Sequence, residues 1–147
     1  MTRLPPLIAL AAGCRVRPRK AANSETRPRD GNAEAKIQAA IVEWIRTVAP
    51  ELIVFHPANG GLRSKAEAAR FKWLGVLAGV PDLVVIGLDG RVWLIEVKTE
   101  RGCLSDEQRV IKDRCVVLRV PYAVVHSIDE VRRAFQIWGI ETREVRQ

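Results

Sequence analysis

Cysteine is scarce in this chain. Cys14, Cys103 and Cys115 are the only three, widely separated and with no CxxC pair. That excludes a disulfide scaffold and a zinc ribbon, and fits a reducing cytoplasm. Histidine is scarcer, with His56 and His126 alone, so no pair of them lies at metal-ligand spacing. No run reaches the ~18 apolar residues that a membrane span needs, which excludes an integral helical membrane protein. Aromatic residues make up only 5% of the chain. Its four tryptophans (Trp44, Trp73, Trp93, Trp138) fall one to each main element and read as core anchors.

What is present is an ordinary globular balance, 48% hydrophobic and 28% charged in 147 residues, enough for one core and too little for two. The net charge is +7, which favours a polyanionic partner. The excess is uneven. Residues 1–32 carry seven Lys/Arg against two acids, so +5 of the +7 lies in an N-terminal arm. This arm reads as a disordered basic leader before a domain at 33–147. The apolar stretch Leu7–Ala12 before Gly13-Cys14 has a faint likeness to a lipoprotein signal, but Pro5-Pro6 interrupts it and Ala11 departs from the usual box.

From residue 33 the pattern becomes regular. Ile37, Ala40, Ile41, Trp44, Ile45 and Val48 recur at helical spacing until Pro50 stops them. Residues 52–56 form a short β-prone run, closed by Pro57 and the Gly-rich Asn59-Gly60-Gly61 loop. Ser64 with Glu67 forms a capping box that opens a helix to about Ala78, with Gly79 placed as its stop. The apolar run 83–86 and the β-branched run 91–98 flank Asp89-Gly90, a strong hairpin signal. Ser105 with Gln108 and Ser127 with Glu130 make further capping boxes, on either side of a strand over 121–126. The order α-β-α-β-β-α-β-α predicts an α/β domain with a mixed sheet flanked by helices.

Chemistry concentrates on the hairpin. Alternation along a strand sends Glu96 and Lys98 to one face. Asp82, directly after Pro81, opens the neighbouring strand, so two carboxylates and an ammonium converge at one sheet end. A divalent cation relieves such a pair, and Mg²⁺ suits carboxylates that leave room for water and phosphate oxygens. Glu34 lies on the buried face of the first helix, and Gln108 aligns with Ile111, Cys115 and Leu118 on the inner face of its own. His56, Asn59 and Arg63 sit around the Gly-rich loop, where freed amides and a guanidinium suit a nucleic-acid phosphate. His126 and the cysteines read as structural.

Five ordered blocks then carry a family likeness: Glu34 with Gln38; His56-Pro57-Ala58-Asn59-Gly60-Gly61-Leu62-Arg63; Gly79-Val80-Pro81-Asp82-Leu83; Trp93-Leu94-Ile95-Glu96-Val97-Lys98; and Gly102-Cys103-Leu104-Ser105-Asp106-Glu107-Gln108. From Glu34 to about Ala134 the chain resembles the virus-type replication-repair nuclease (VRR-NUC) domain of the PD-(D/E)xK superfamily. The resemblance implies a restriction-endonuclease-like fold and a metal-dependent nuclease. It implies Asp82 and Glu96 as ligands of Mg²⁺ (Mn²⁺ substituting), Lys98 as the catalytic lysine, and Glu34 and Gln108 completing the site, with Glu34 counted among the metal ligands. It further implies branched or junction DNA as substrate in replication, repair or phage biology, a homodimer, and a cytoplasmic bacterial or phage-encoded protein. The alternative is a non-catalytic basic nucleic-acid-binding module with structural acids, which would bind with steep salt dependence and need no divalent ion.

Overall fold

The computed structural model describes residues 31–58 and 64–143. Helix α1 (Gly31–Val48) is followed by β1 (Ile53–Phe55), α2 (Lys65–Trp73), β2 (Leu83–Ile86), β3 (Val92–Val97), α3 (Asp106–Leu118), β4 (Tyr122–Val125) and α4 (Ile128–Trp138). The four strands form one sheet in the order β1-β2-β3-β4, antiparallel except for the parallel pair β3-β4. This is the expected mixed sheet flanked by helices, in the expected element order. The expected basic arm lies outside the described residues except at Gly31 and Asn32, which already belong to α1.

Burial alternates along the strands, and that alternation separates the core from the chemistry. Leu83, Val85, Trp93, Ile95, Val97, Ala123 and Val125 face α1 and α4, where they meet Ile41, Ile45, Val131 and Phe135. Trp93 and Trp138 stack with centroids 6.5 Å apart, and Trp44 leans on Phe135 at 5.7 Å. Burial of these large side chains supplies most of the stabilisation, each removing apolar area from water. The intervening residues Val84, Leu94, Glu96, Tyr122 and Val124 point to the opposite face, where α3 lies.

The β2-β3 hairpin turns at the expected Asp89-Gly90: Leu88–Gly90 form a single 3₁₀ turn with Asp89 and Gly90 at positive φ, closed by Gly87 N–H donating to Arg91 O at 2.9 Å. Four details differ from expectation. Helix α2 opens with its full capping box but stops at Trp73, because Gly75, not Gly79, takes the left-handed stop after Leu74. Trp73 is therefore no core anchor; it is 83% exposed on a helix whose side chains stand mostly in solvent. Leu118 is also exposed, since α3 ends there and Arg119 turns the chain away with φ +58°. At α4 only half of the box forms: Ser127 Oγ accepts from Glu130 N–H, while the Glu130 carboxylate turns to the backbone N–H and ring of His126.

Candidate active site

Register brings the two acids together. Leu83 pairs with Ile95, so one step beyond that rung Asp82 stands opposite Glu96. Pro81 ends the regular pairing, and the Asp82 side chain takes over from the backbone: its Oδ2 accepts from Val97 N–H at 2.9 Å. On the other side, His56 Nδ1 lies 2.6 Å from the Asp82 carbonyl oxygen, tying the exit of β1 to the entrance of β2.

Glu96 is completely buried and Lys98 nearly so. Lys98 Nζ lies 2.5 Å from Glu96 Oε1. The Gln108 amide donates to that same oxygen from α3. Its orientation comes from the capping box: Gln108 Oε1 accepts from Ser105 N–H at 2.9 Å, and Ser105 Oγ accepts from Gln108 N–H at 3.2 Å. With the carbonyl end so held, the amide nitrogen is turned toward β3. Both donors thus converge on Oε1, and Glu96 Oε2 is left buried with no hydrogen-bond partner among the described residues.

Such a group is costly, since an unpaired buried oxygen forfeits its hydration without replacement. Burial accordingly raises the Glu96 pKa to about 7; Lys98 pulls it down, and the charge of Asp82 pushes it further up. Two carboxylates on one face, one with a bare buried oxygen, fit a hard divalent cation that keeps waters and takes substrate oxygens.

The family comparison bears on this same stretch. The VRR-NUC domain profile matches residues 29–129, which span all of these side chains. The chain belongs to the VRR-NUC domain family. VRR-NUC domains are nuclease domains. Among solved structures, the chain is similar to a VRR-NUC domain at 24% identity, covering 71% of this chain and 95% of that one with a TM-score of 0.51. It is also similar to a VRR-NUC domain protein at 21% identity, covering 79% and 96% with a TM-score of 0.59. At these identities the likeness is one of fold. A search of curated proteins finds no match.

Within this VRR-NUC domain the other anticipated residues lie at different distances from the acid pair. Glu34 comes from α1, on the core side of the sheet, whereas Gln108 comes from α3 on the other; the two do not share one face. Glu34 Oε1 stands 3.5 Å from Thr99 N–H, beside the tight turn in which Gly102 N–H donates to Thr99 O. A Cβ at Gly102 would sit 3.2 Å from both Glu34 Oε1 and Lys98 Cβ, so this turn keeps the lysine stem and the α1 carboxylate close together. Among the described residues, no three His, Cys, Asp or Glu side chains are grouped to hold a metal ion. A cavity of about 630 Å³ runs along α1, lined by Gln38, Val42, Thr47 and His56 among others; it is separate from the acid pair. Asn59, Arg63 and the Gly60-Gly61 step lie outside the described residues.

Sequence reasoning passed over two neighbours of the site. One is Tyr122, whose hydroxyl is buried on the Glu96 face. The other is Gly79, taken for a helix stop. At φ +78°, a Cβ there would lie 2.4 Å from the carbonyl carbon of Glu107 and 2.8 Å from Gln108 N. Its missing side chain lets the segment entering Asp82 press against the first turn of α3, where the Gln108 amide is aimed. Gly79→Ala will therefore displace that turn, costing about 2 kcal/mol or more. Gly75→Ala is the control, because Gly75 has φ +88° but open space at its Cβ. Thermal melts should show the larger loss at Gly79, and equal losses would show that the contact with α3 is unimportant.

Proposed function

We propose that this VRR-NUC domain is a divalent-cation-dependent nuclease that hydrolyses phosphodiester bonds in DNA. One observation carries the reading: both donors to Glu96 occupy Oε1, leaving a bare buried oxygen beside a second carboxylate. A protein that only bound DNA would gain nothing from acids clustered near phosphates, which repel the ligand. In this reading Asp82 and Glu96 hold Mg²⁺ or Mn²⁺, and Gln108 fixes the rotation of Glu96. When bound, the cation would polarise the scissile phosphate and acidify the attacking water. Lys98 Nζ, anchored on Glu96 with its stem packed beside the Gly102 turn, donates toward the phosphate oxygen on which negative charge builds. His56 holds the Asp82 backbone still while the side chain is loaded.

The DNA path runs past α2. The chain leaves the sheet after β1 at His56 and re-enters it at Asp82, where the two are hydrogen-bonded. On α2, Arg70, Lys72 and Trp73 are exposed, a combination suited to backbone phosphates and a stacked base. Asn59 and Arg63, which lie outside the described residues, are assigned to the same DNA contact from the sequence pattern. Selectivity for branched or junction DNA and action as a homodimer rest on the family resemblance.

The test is a cleavage panel of four-way junction, flap, nicked and linear DNA, with and without Mg²⁺ or Mn²⁺. Cleavage that requires the ion and disappears with chelator supports the proposal; preference for junction or flap supports the substrate class. Wild-type protein that binds all four with steep salt dependence and cuts none would instead establish the binding module.

A further inference from the structure

Glu96 Oε2 is one of two side-chain atoms among the described residues that are buried without a hydrogen-bond partner; the other is the Tyr122 hydroxyl. They lie on the same face of the sheet. β3 and β4 run parallel with Leu94 beside Tyr122 and Glu96 beside Val124, so Tyr122 and Glu96 are diagonal neighbours, both covered by α3. Diagonal positions on adjacent strands are within reach of a long aromatic side chain. One orphan is a donor and the other an acceptor, and neither has another partner.

The geometry points to Tyr122 as a positioning residue for the metal-binding carboxylate: its hydroxyl donates to Glu96 Oε2, fixing the plane of the carboxylate so that the remaining lone pair of Oε2 faces the cation. This deepens the nuclease reading and rests on it for the cation. A carboxylate oxygen has two lone pairs and can accept a hydrogen bond while ligating. Tyr122 would then do for Oε2 what Lys98 and Gln108 do for Oε1. Outer partners of this kind set ligand orientation and tune metal affinity. The surroundings agree: the phenol pKa is raised by burial first, then by the negative charge of Glu96 and, more weakly, of Cys115 and Asp82. A phenol beside an anion stays protonated and remains a donor.

Tyr122 is the only tyrosine of the chain, so a tyrosine signal reports this site alone. In metal-free protein, the tyrosine doublet in ultraviolet resonance Raman spectra should show a strong donor, and Glu96→Gln should weaken it. Tyr122→Phe should lower Mn²⁺ affinity, read by electron paramagnetic resonance, about 10-fold, while wild-type binding remains intact. A weak-donor signal in the wild type overturns the pairing whether or not Tyr122→Phe folds. Unchanged Mn²⁺ affinity in a folded Tyr122→Phe protein overturns the positioning role. Should the wild type bind no Mn²⁺, the nuclease reading and the positioning of a ligand both fail, yet the Raman comparison still decides the pairing itself.

Discussion

Lys98→Ala will lower cleavage by about 10²–10³-fold while leaving DNA binding nearly unchanged, the magnitude ordinarily seen when one preorganised donor to a developing charge is removed. The ammonium is fixed before substrate arrives: it is nearly buried, 2.5 Å from Glu96 Oε1, on a stem confined by the Gly102 turn. Its loss has a second consequence. Glu96 Oε1 is left with Gln108 as its sole donor and no cation beside it, and breaking a buried pair from one side costs about 3–5 kcal/mol unless the survivor takes up a proton. A low rate alone would therefore be ambiguous, since a loosened fold also cuts poorly. The double variant Glu96→Gln/Lys98→Ala separates the two effects. With no charge left to strand, it should recover much of the melting temperature lost by Lys98→Ala and none of the cleavage. Recovery of both together would mean that Lys98 serves the fold and not the reaction. Asp82→Asn should be equally inactive and less destabilised, because an amide oxygen can still accept from Val97 N–H.

The sequence made these residues conspicuous for a specific reason. Strand alternation and hairpin pairing are short-range rules, so Asp82, Glu96 and Lys98 could be assigned to one face without knowing the rest of the fold. Capping boxes are equally local, and the one at Ser105–Gln108 was readable as such. What the box does was not. A box at Ser64–Glu67 uses glutamate on an exposed helix, whereas the box at α3 uses glutamine where a second anion would face buried Glu96. Only the packing of α3 on the sheet, which Gly79 permits, reveals that difference. Tyr122 escaped because alternation alone cannot tell which face of an edge strand holds chemistry. Trp73 was misjudged because size predicts burial only for a helix with something to pack against. Glu34 is the converse case: helical spacing placed it on the inner side of α1, and only the Thr99–Gly102 turn shows its carboxylate lying beside the Lys98 stem.

Metal-free protein will lose stability as pH rises from about 4.5 to about 7, and a divalent cation will restore it only in the upper part of that range. The sign follows from Glu96. Its pKa is near 4.5 in an unfolded chain and about 7 in the folded one, raised mainly by burial. Between those values the native state holds the proton more tightly than the unfolded state, so raising the pH favours unfolding. The full effect is up to about 3 kcal/mol, since each tenfold gain in proton affinity on folding is worth about 1.4 kcal/mol. At about 2–4 °C per kcal/mol for a chain of this size, the melting temperature should fall by up to roughly 6–12 °C. Below about pH 4.5 the group is protonated in both states and the contribution is complete; above about pH 7 it has gone. Glu107 and Glu130 shift the opposite way, so the decisive comparison is with Glu96→Gln, which should flatten the slope between pH 5 and 7. Mg²⁺ at 100 times its dissociation constant should add about 2.7 kcal/mol at pH 7.5. At pH 5, where Glu96 carries a proton, the same concentration should add much less. A cation effect of equal size at both pH values would place the ion somewhere other than on Glu96, and a wild-type slope matched by Glu96→Gln would remove this carboxylate as its source.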